Sequence, residues 1–472
     1  MLTASSRQEP NLGCNYLGGR RYTLAKVAGM LAATLYPAFR FDFTSKSGRN
    51  LRKGEKSPVQ RGKGERMRKY AIIGGGVAGI TAAQEIVKAD GGADVHLISA
   101  EPRPYYRRPL LWKFIAGEIE ESALYFRPAE WYQERHIHLH LGALVTALAA
   151  QEHLLTLADG DRIFYDRLLL ATGGRPFLPP IQGADRQGVF TLRTFEDAQA
   201  IKAYASQSHN VVVIGGGLLG LETAKALLTP ETRVSVLEFM PHLLPRQLCA
   251  IGAGVLQVQL EKMGLNILTA AVTDEILGNS RVSGVRLKDG RVIESEMVVV
   301  SAGIRSRTDL AQDAGIEANR GIVVDQQLRT SATDVYAAGD SAEFEGVVYG
   351  IIPAATEQAR IAAANMVAHG SAIYKGTVPS TTLKVVGIDL ACLGNSTAIE
   401  DGGFTVLGRK DESAGTFKKL VLQDGKITGA VLMGDTKDAR PLQQLIEKRV
   451  DVSASRDRLL GADFDLWELA RG

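Results

Sequence analysis

The stretch YAIIGGGVAGITAAQEI (Tyr70–Ile86) has a close counterpart later in the chain, VVVIGGGLLGLETAKAL (Val211–Leu227). In each stretch a short apolar run comes first, three glycines follow, and a segment with helical spacing of its apolar residues comes last. This order predicts a buried strand, a tight turn and a helix. Because the unit occurs twice, we expect two similar α/β folds in one chain.

The glycines of the first unit have the spacing that a bound dinucleotide requires. Gly74 permits the tight turn, Gly76 lets the backbone approach a pyrophosphate, and Gly79 lets the helix pack against the strand. The N–H groups of Val77 and Ala78 lie at the positive end of the helix, where phosphates bind. These residues form the first predicted cradle.

An acidic residue at the end of the next strand makes the motif more specific. The segment DVHLISAE ends at Glu101, at the distance expected of a carboxylate that accepts hydrogen bonds from ribose hydroxyls. A glycine-rich turn without a ligand would need no such acid, so the sequence favours a dinucleotide site.

The second unit repeats these features. Its cradle comprises the three glycines and the first helical residues: Gly215, Gly217, Leu218, Leu219 and Gly220. The next strand, RVSVLE, ends at Glu238, and the nearest following arginine is Arg246. A carboxylate at this position suits the free 2′-hydroxyl of NADH and repels the 2′-phosphate of NADPH. NADH is therefore favoured over NADPH.

Two cradles predict two dinucleotides, one that stays bound and one that exchanges. The usual pair is FAD and a nicotinamide cofactor, with a hydride passing between them. The three cysteines, Cys14, Cys249 and Cys392, form no CxxC pair, so a local redox disulfide and a local iron–sulfur site are not expected. Cys249 and Cys392 are interpreted as small buried hydrophobic residues.

Charge separates the first 66 residues from the rest. They carry 13 basic and 4 acidic side chains, whereas residues 67–472 carry 42 basic and 48 acidic ones. The mildly acidic body makes nucleic acid an unexpected partner. No stretch is long and apolar enough to span a bilayer, and the expected location is the cytoplasm.

Residues 1–66 lack the periodic pattern that begins at Met67. Three interpretations stay open: a misplaced start site with Met67 as the true first residue, a targeting peptide that resembles a twin-arginine signal, and a disordered basic tail. The first is favoured, because the cleavage site of such a signal is poor.

Beyond the two units, the chain resembles the pyridine nucleotide–disulfide oxidoreductase superfamily. The resemblance rests on LLLATGGRP (168–176), MVVVSAGIRSRTDL (297–310), TSATDVYAAGDSAEF (330–344) and PAATEQARIAAANM (353–366). It implies two Rossmann-like domains of glutathione-reductase type, with Asp340 bonding the ribityl chain of FAD. Further cofactor-binding residues that it implies are Ala171, Thr172, Gly173, Gly303 and Gly339.

The segment EPRPYYRRPLLWKFIAGEI (101–119) has no cysteine where the disulfide reductases place theirs. It resembles the cysteine-free branch, namely rubredoxin and ferredoxin reductases and the flavin module of NADH-dependent nitrite reductase. That branch implies Arg108 at the cofactor, Lys113 near flavin N5 and Glu222 as the partner of Lys113. Trp112 stands where the family usually has a small residue.

The resemblance implies an FAD-containing NADH oxidoreductase that passes electrons to rubredoxin, ferredoxin or a small-molecule acceptor. Two alternatives stay open: an NADH oxidase that uses oxygen or quinone, and a slow-turnover regulatory protein that binds flavin and NADH. A homodimer also stays open.

The expected domains are an FAD-binding domain in two segments (67–180 and 301–378), an NADH-binding domain (181–300) and a small α+β domain (379–472). The segment HIHLH puts His136, His138 and His140 on one face of a strand, an arrangement that could bind zinc. No acidic or cysteine ligand from another strand is evident, so an ordinary strand face is favoured and no metal is expected.

Overall fold

The computed structural model describes residues 67–378, 380–400, 403–461 and 463–471. The prediction for residues 1–66 lies outside them. The strands are β1 Lys69–Ile73, β2 Asp94–Ser99, β3 Ile137–Leu141, β4 Val145–Ala149, β5 Leu154–Leu157, β6 Arg162–Phe164, β7 Arg167–Leu170, β8 Gly174–Pro176, β9 Val189–Thr191, β10 Asn210–Ile214, β11 Arg233–Leu237, β12 Asn266–Leu268, β13 Thr273–Gly278, β14 Val282–Leu287, β15 Val292–Glu294, β16 Met297–Val300, β17 Ile304–Ser306, β18 Ile322–Val324, β19 Val335–Ala337, β20 Ala342–Phe344, β21 Ser380–Val385, β22 Ile388–Gly394, β23 Thr405–Asp411, β24 Thr416–Gln423 and β25 Lys426–Met433. The helices are α1 Val77–Ala89, α2 Leu111–Ile115, α3 Ala129–Gln133, α4 Phe195–Ala205, α5 Leu218–Leu227, α6 Ala250–Lys262, α7 Asp309–Asp313, α8 Ile352–Val367, α9 Ala439–Lys448 and α10 Leu466–Arg471.

A five-stranded parallel sheet in the order β19-β7-β1-β2-β3 contains the first glycine motif. After Lys69 at its start, β1 is buried in an apolar cluster to which α1, α8 and the strands β4 and β5 contribute. Helices α1 and α8 pack against the sheet through buried side chains that include Ile80, Ile86 and Met366. The distant strand β19 joins this sheet beside β7.

The second glycine motif lies in a separate parallel sheet with the order β12-β11-β10-β16-β9. Strand β10 is again a continuous apolar run, NVVVI, with four buried residues. Helix α5 packs against it through Leu221 and Ala224. The two sheets therefore repeat the same strand–turn–helix–strand order.

Two short strands connect these sheets. Strand β8 pairs antiparallel with β17, so that Arg175 lies opposite Arg305. In the sequence, β8 comes directly after β7 of the first sheet, and β17 comes directly after β16 of the second sheet. The chain thus leaves the first sheet and returns to it through neighbouring strands.

The last part of the chain forms an antiparallel sheet with the order β21-β22-β25-β24-β23. Asp424 and Gly425 join β24 to β25, both with positive φ (48° and 71°), as a tight hairpin turn requires. Helix α9 buries Leu442 and Leu445 against this sheet. Phe417 of β24 lies in one apolar cluster with α5 and α6 of the second fold.

This architecture confirms the expected α/β class with two Rossmann-like folds and a small α+β part. The domain limits themselves stay a prediction. One local expectation is wrong. His136 does not share a strand face with His138 and His140, because β3 begins at Ile137 and His136 has a φ of 53°.

Candidate functional site: two glycine-rich cradles

The first cradle is built by close backbone contacts that only glycine permits. Gly74 has a φ of 119°, and a Cβ atom there would lie 2.0 Å from the carbonyl oxygen of Ala171. A Cβ atom on Gly79 would lie 1.9 Å from the carbonyl oxygen of Gly74. At Gly76, by contrast, the nearest atom to a Cβ would be Nη1 of Arg108, at 3.4 Å. Gly76 therefore leaves room for a ligand.

The second cradle has nearly the same geometry. Gly215 has a φ of 116°, and its Cβ would lie 2.3 Å from the carbonyl oxygen of Ser301. A Cβ on Gly220 would lie 2.0 Å from the carbonyl oxygen of Gly215. A Cβ on Gly217 would meet no atom within 4 Å. Both loops thus keep their own backbone tightly packed and leave one glycine open.

Both cradles present the start of a helix. Gly76 and Gly217 are the N-caps of α1 and α5, and neither helix has a side-chain cap or an acidic residue in its first turn. The backbone N–H groups at these helix starts remain available to an anion. The predicted phosphate-binding residues at these positions are Val77, Ala78, Leu218 and Leu219.

Glu101 lies two residues beyond β2, beside the first cradle. Its carboxylate accepts hydrogen bonds from the Tyr106 hydroxyl, at 2.5 Å, and from the Arg108 guanidinium. The buried Nε of Arg108 has no hydrogen-bond partner among the described residues. A buried donor without a partner is costly, and a phosphate or ribose oxygen would satisfy it. These residues therefore fit the dinucleotide portion of FAD.

Glu238 follows β11 directly and is 7% exposed. Its two carboxylate oxygens accept hydrogen bonds from the N–H groups of Gly216 and Met240, each at 2.7 Å. The carboxylate is thus held against the second cradle, at the position expected of a ribose-binding acid.

Three predicted flavin residues, the neighbours Thr172 and Gly173 and the distant Asp340, lie near β8. The Thr172 hydroxyl donates to the carbonyl oxygen of Arg307 at 2.8 Å, and the Ser306 hydroxyl donates to the carbonyl oxygen of Asp340 at 2.7 Å. Arg193, which the sequence did not single out, forms an ion pair with Asp340 at 3.0 Å. A Cβ on Gly173 would lie 3.6 Å from Nη2 of the same arginine.

Gly339, which follows β19, lies against the start of α1. It has a φ of 83°, and its Cβ would lie 3.1 Å from the Cβ of Ala78. Its N–H donates to Oε1 of Gln358 at 2.8 Å. The buried Nε2 of Gln358 has no partner among the described residues, and the sequence did not point to this glutamine. Gly303, with a φ of 96°, accepts a hydrogen bond from Phe177 at 2.9 Å.

Lys113 and Glu222 lie on α2 and α5, which pack together in one apolar cluster. Burial raises the pKa of Glu222 to about 7, and the positive charge of Lys113 partly opposes this rise. The Lys113 ammonium also lies 5.3 Å from the centroid of the Trp112 ring, a cation–π distance. Trp112 therefore contacts the lysine.

The two described cysteines differ in burial. Cys392 is buried as expected, and burial raises the pKa of its thiol to about 12, so the reactive thiolate is scarce. Cys249, at the N-cap of α6, is only half-buried, so the expectation of a buried residue is wrong there. In the part of the chain that the structure describes, no helix has the length and apolar character needed to cross a membrane.

Comparisons with known proteins agree with this geometry. Residues 68–364 match the family described as pyridine nucleotide-disulphide oxidoreductase, and residues 379–450 match the rubredoxin NAD+ reductase C-terminal domain. The chain is 38% identical over 388 residues to a nitrite reductase [NAD(P)H] of Bacillus subtilis, covering 82% of this chain and 48% of that protein. It thus spans about half the length of the nitrite and nitrate reductase proteins that it matches.

Shorter relatives are covered almost completely. An NADH-rubredoxin oxidoreductase of Clostridium acetobutylicum is 30% identical over 402 residues, with 85% of this chain and 99% of that one covered. A ferredoxin reductase structure from Rhodopseudomonas palustris is 28% identical, with a TM-score of 0.78 and coverage of 85% of this chain and 100% of that one. The chain therefore belongs to the pyridine nucleotide-disulphide oxidoreductase family.

Proposed function

We propose that the protein takes a hydride from NADH and passes electrons to a small redox protein such as a rubredoxin or a ferredoxin. The observation that carries the proposal is the pair of matching cradles, each with one open glycine (Gly76, Gly217) and one acid at the strand end (Glu101, Glu238). The names of the relatives and the match of residues 379–450 to a rubredoxin reductase domain support this acceptor class.

The chain's own residues would bind and orient the cofactors. Arg108 and Glu101 would contact the phosphate–ribose part of FAD, and Asp340 would bond its ribityl chain, oriented by Arg193. Glu238 would hold the ribose of NADH beside Gly217, disfavouring the additional phosphate of NADPH. When bound, FAD supplies the two-electron chemistry that links a hydride donor to a one-electron acceptor.

Lys113 and Glu222 would set the charge where the two nucleotide folds meet. A cation there stabilises negative charge that develops on reduction, and the carboxylate holds the cation in place. No side chain needs to move a proton in a direct hydride transfer, so the protein's contribution is positioning and electrostatics. The two-segment FAD domain (67–180 and 301–378), the inserted NADH domain (181–300) and a cytoplasmic location are part of the same proposal.

Acceptor-dependent turnover tests the proposal. The full chain, loaded with FAD, is supplied with NADH under anaerobic conditions and offered rubredoxin, ferredoxin or a soluble quinone in turn; oxygen is tested separately. We expect rapid reduction of at least one of the two redox proteins and slow oxygen consumption. Faster turnover with oxygen or quinone would instead identify an oxidase, and NADH binding without turnover on any acceptor would identify a regulatory protein.

A further inference from the structure

A cluster of histidines lies on the first sheet, on strands that the proposed electron transfer does not use. Strand β2 pairs in parallel with the edge strand β3, with His96 opposite His138 and Ile98 opposite His140. Because alternate residues of a strand share a face, four polar residues lie on one face of this strand pair. They are Asp94, His96, His138 and His140.

The side chains of three of these residues converge on one point. Oδ1 of Asp94 lies 3.2 Å from Nε2 of His96 and 3.2 Å from Nε2 of His138. One ligand atom from each of these residues lies within 4.8 Å of the others. The imidazole rings of His96 and His138 stack with centroids 4.8 Å apart. Two imidazole nitrogens and one carboxylate oxygen therefore face a common centre.

The surroundings hold this arrangement in place. Nδ1 of His96 lies 3.0 Å from Nε2 of His140, a hydrogen bond that orients the His96 ring. The other oxygen of Asp94 lies 3.9 Å from the Lys69 ammonium. The Asp94 side chain is only 10% exposed, whereas that of His138 is 57% exposed, so solvent reaches the centre from one side.

We propose that Asp94, His96 and His138 form a binding site for Zn²⁺, with His140 orienting His96 and water completing the coordination. Histidine nitrogen and carboxylate oxygen are accepted zinc ligands, and three protein ligands plus water is a known arrangement. In a tetrahedron with bonds of about 2.0–2.1 Å, neighbouring ligand atoms lie about 3.3 Å apart. The two 3.2 Å separations match that spacing.

The site would connect the edge strand β3 to β2, whose chain continues to Glu101 at the first cradle. A ligand that binds the folded state alone stabilises it by mass action. Zinc would accordingly strengthen the edge of the FAD-binding sheet without touching the cofactors.

Zinc titration of the tag-free, FAD-loaded full chain tests the proposal. After treatment with a chelator, the protein is titrated with zinc chloride in a calorimeter, and its melting temperature is measured with and without zinc. We expect one zinc ion bound per chain and a melting temperature that rises with zinc concentration. His138→Ala and Asp94→Asn should each weaken binding by at least about 10-fold.

His136→Asn is the matched control, because it removes a neighbouring histidine from outside the cluster, and asparagine tolerates the positive φ at that position. It should bind zinc as the unaltered chain does. NADH-dependent bleaching of the flavin verifies that every variant is folded. Absence of zinc binding, or equal binding by the unaltered chain and folded His138→Ala, would show that the three side chains are only hydrogen-bonded to one another.

Discussion

Glu222 carries a carboxyl group whose charge changes near neutral pH. Burial raises the pKa of its carboxyl group from 4.5 to about 7, although Lys113 lies near enough to oppose the rise. A carboxyl group with a raised pKa binds more protons in the folded state than in the unfolded state. Its contribution to the free energy of unfolding is therefore present at low pH and is lost as the pH rises from about 4.5 to about 7.

Glu222→Gln removes this titration. Relative to the unaltered protein, the variant should gain stability between pH 5 and pH 8, by on the order of 1–3 kcal/mol. Urea denaturation at the two pH values measures the difference. Glu118→Gln, which removes an exposed carboxylate near α2, is the control and should show no such gain. A stability difference that is the same at both pH values would contradict the assignment.

Lys113→Met removes the cation that we place near the flavin. We expect NADH-dependent flavin reduction to slow by about 10- to 100-fold, because a charge that stabilises the reduced state is lost. Stopped-flow absorbance under anaerobic conditions measures the rate. Lys202→Met is the matched control: this exposed lysine of α4 lies 4.5 Å from the Phe114 ring, and its loss should leave the rate unchanged. Equal rates of flavin reduction for both variants would show that Lys113 does not act at the flavin.

Glu238→Gln tests the ribose-binding acid. Glutamine offers one acceptor oxygen, so it cannot accept hydrogen bonds from both Gly216 and Met240 as the carboxylate does. We expect the KM for NADH to rise by about 10-fold or more, with a smaller change for NADPH and little change in kcat. Steady-state kinetics with both nucleotides measures this. An unchanged preference for NADH over NADPH would mean that another residue recognises the ribose.

The glycines of the two cradles have different structural roles. Gly74 and Gly215 have positive φ, and each packs against a carbonyl oxygen just after the end of the neighbouring strand in its sheet, β7 or β16. Gly217 has an ordinary extended backbone, and a Cβ atom there would meet no other atom within 4 Å. The same substitution should therefore damage folding at one position and binding at another.

Gly215→Ala should destabilise the protein by several kcal/mol, because its Cβ would clash with a backbone oxygen at 2.3 Å in a conformation that alanine avoids. Gly217→Ala should leave the melting temperature and the bound flavin nearly unchanged and raise the KM for NADH by about 10-fold or more. Thermal denaturation and steady-state kinetics separate the two effects. An unaltered KM in Gly217→Ala would place the nucleotide elsewhere.

The parts of the fold that follow from local sequence could be predicted to the residue. Strands β1 and β10 coincide with the segments KYAII and NVVVI, because each segment is an apolar run that ends at glycine. Arg193, Gln358 and the contact of Asp94 with the histidines could not be predicted, because each depends on segments that only the folded sheet brings together. The expected face of three histidines was wrong for a local reason. The position of His136 is set by the turn before β3.

At the scale of the whole molecule, the second nucleotide-type fold is inserted in the sequence between two segments of the first. Strand β19 returns to the first sheet after the second sheet is complete, and β8 and β17 pair where the chain crosses. The C-terminal sheet shares an apolar cluster with α5 and α6 through Phe417. The two nucleotide-type folds are thus joined by paired strands where the chain passes from one sheet to the other.

Anaerobic titration of the purified full chain with NADH tests the central claim most directly, with the visible absorbance of the flavin as the readout. The account predicts a yellow protein whose flavin is bleached by about one equivalent of NADH, and much less readily by NADPH, since a hydride carries the two electrons that one flavin accepts. A colourless protein that cannot be loaded with FAD, or a flavin that NADH leaves oxidised, would contradict the assignment of the two cradles.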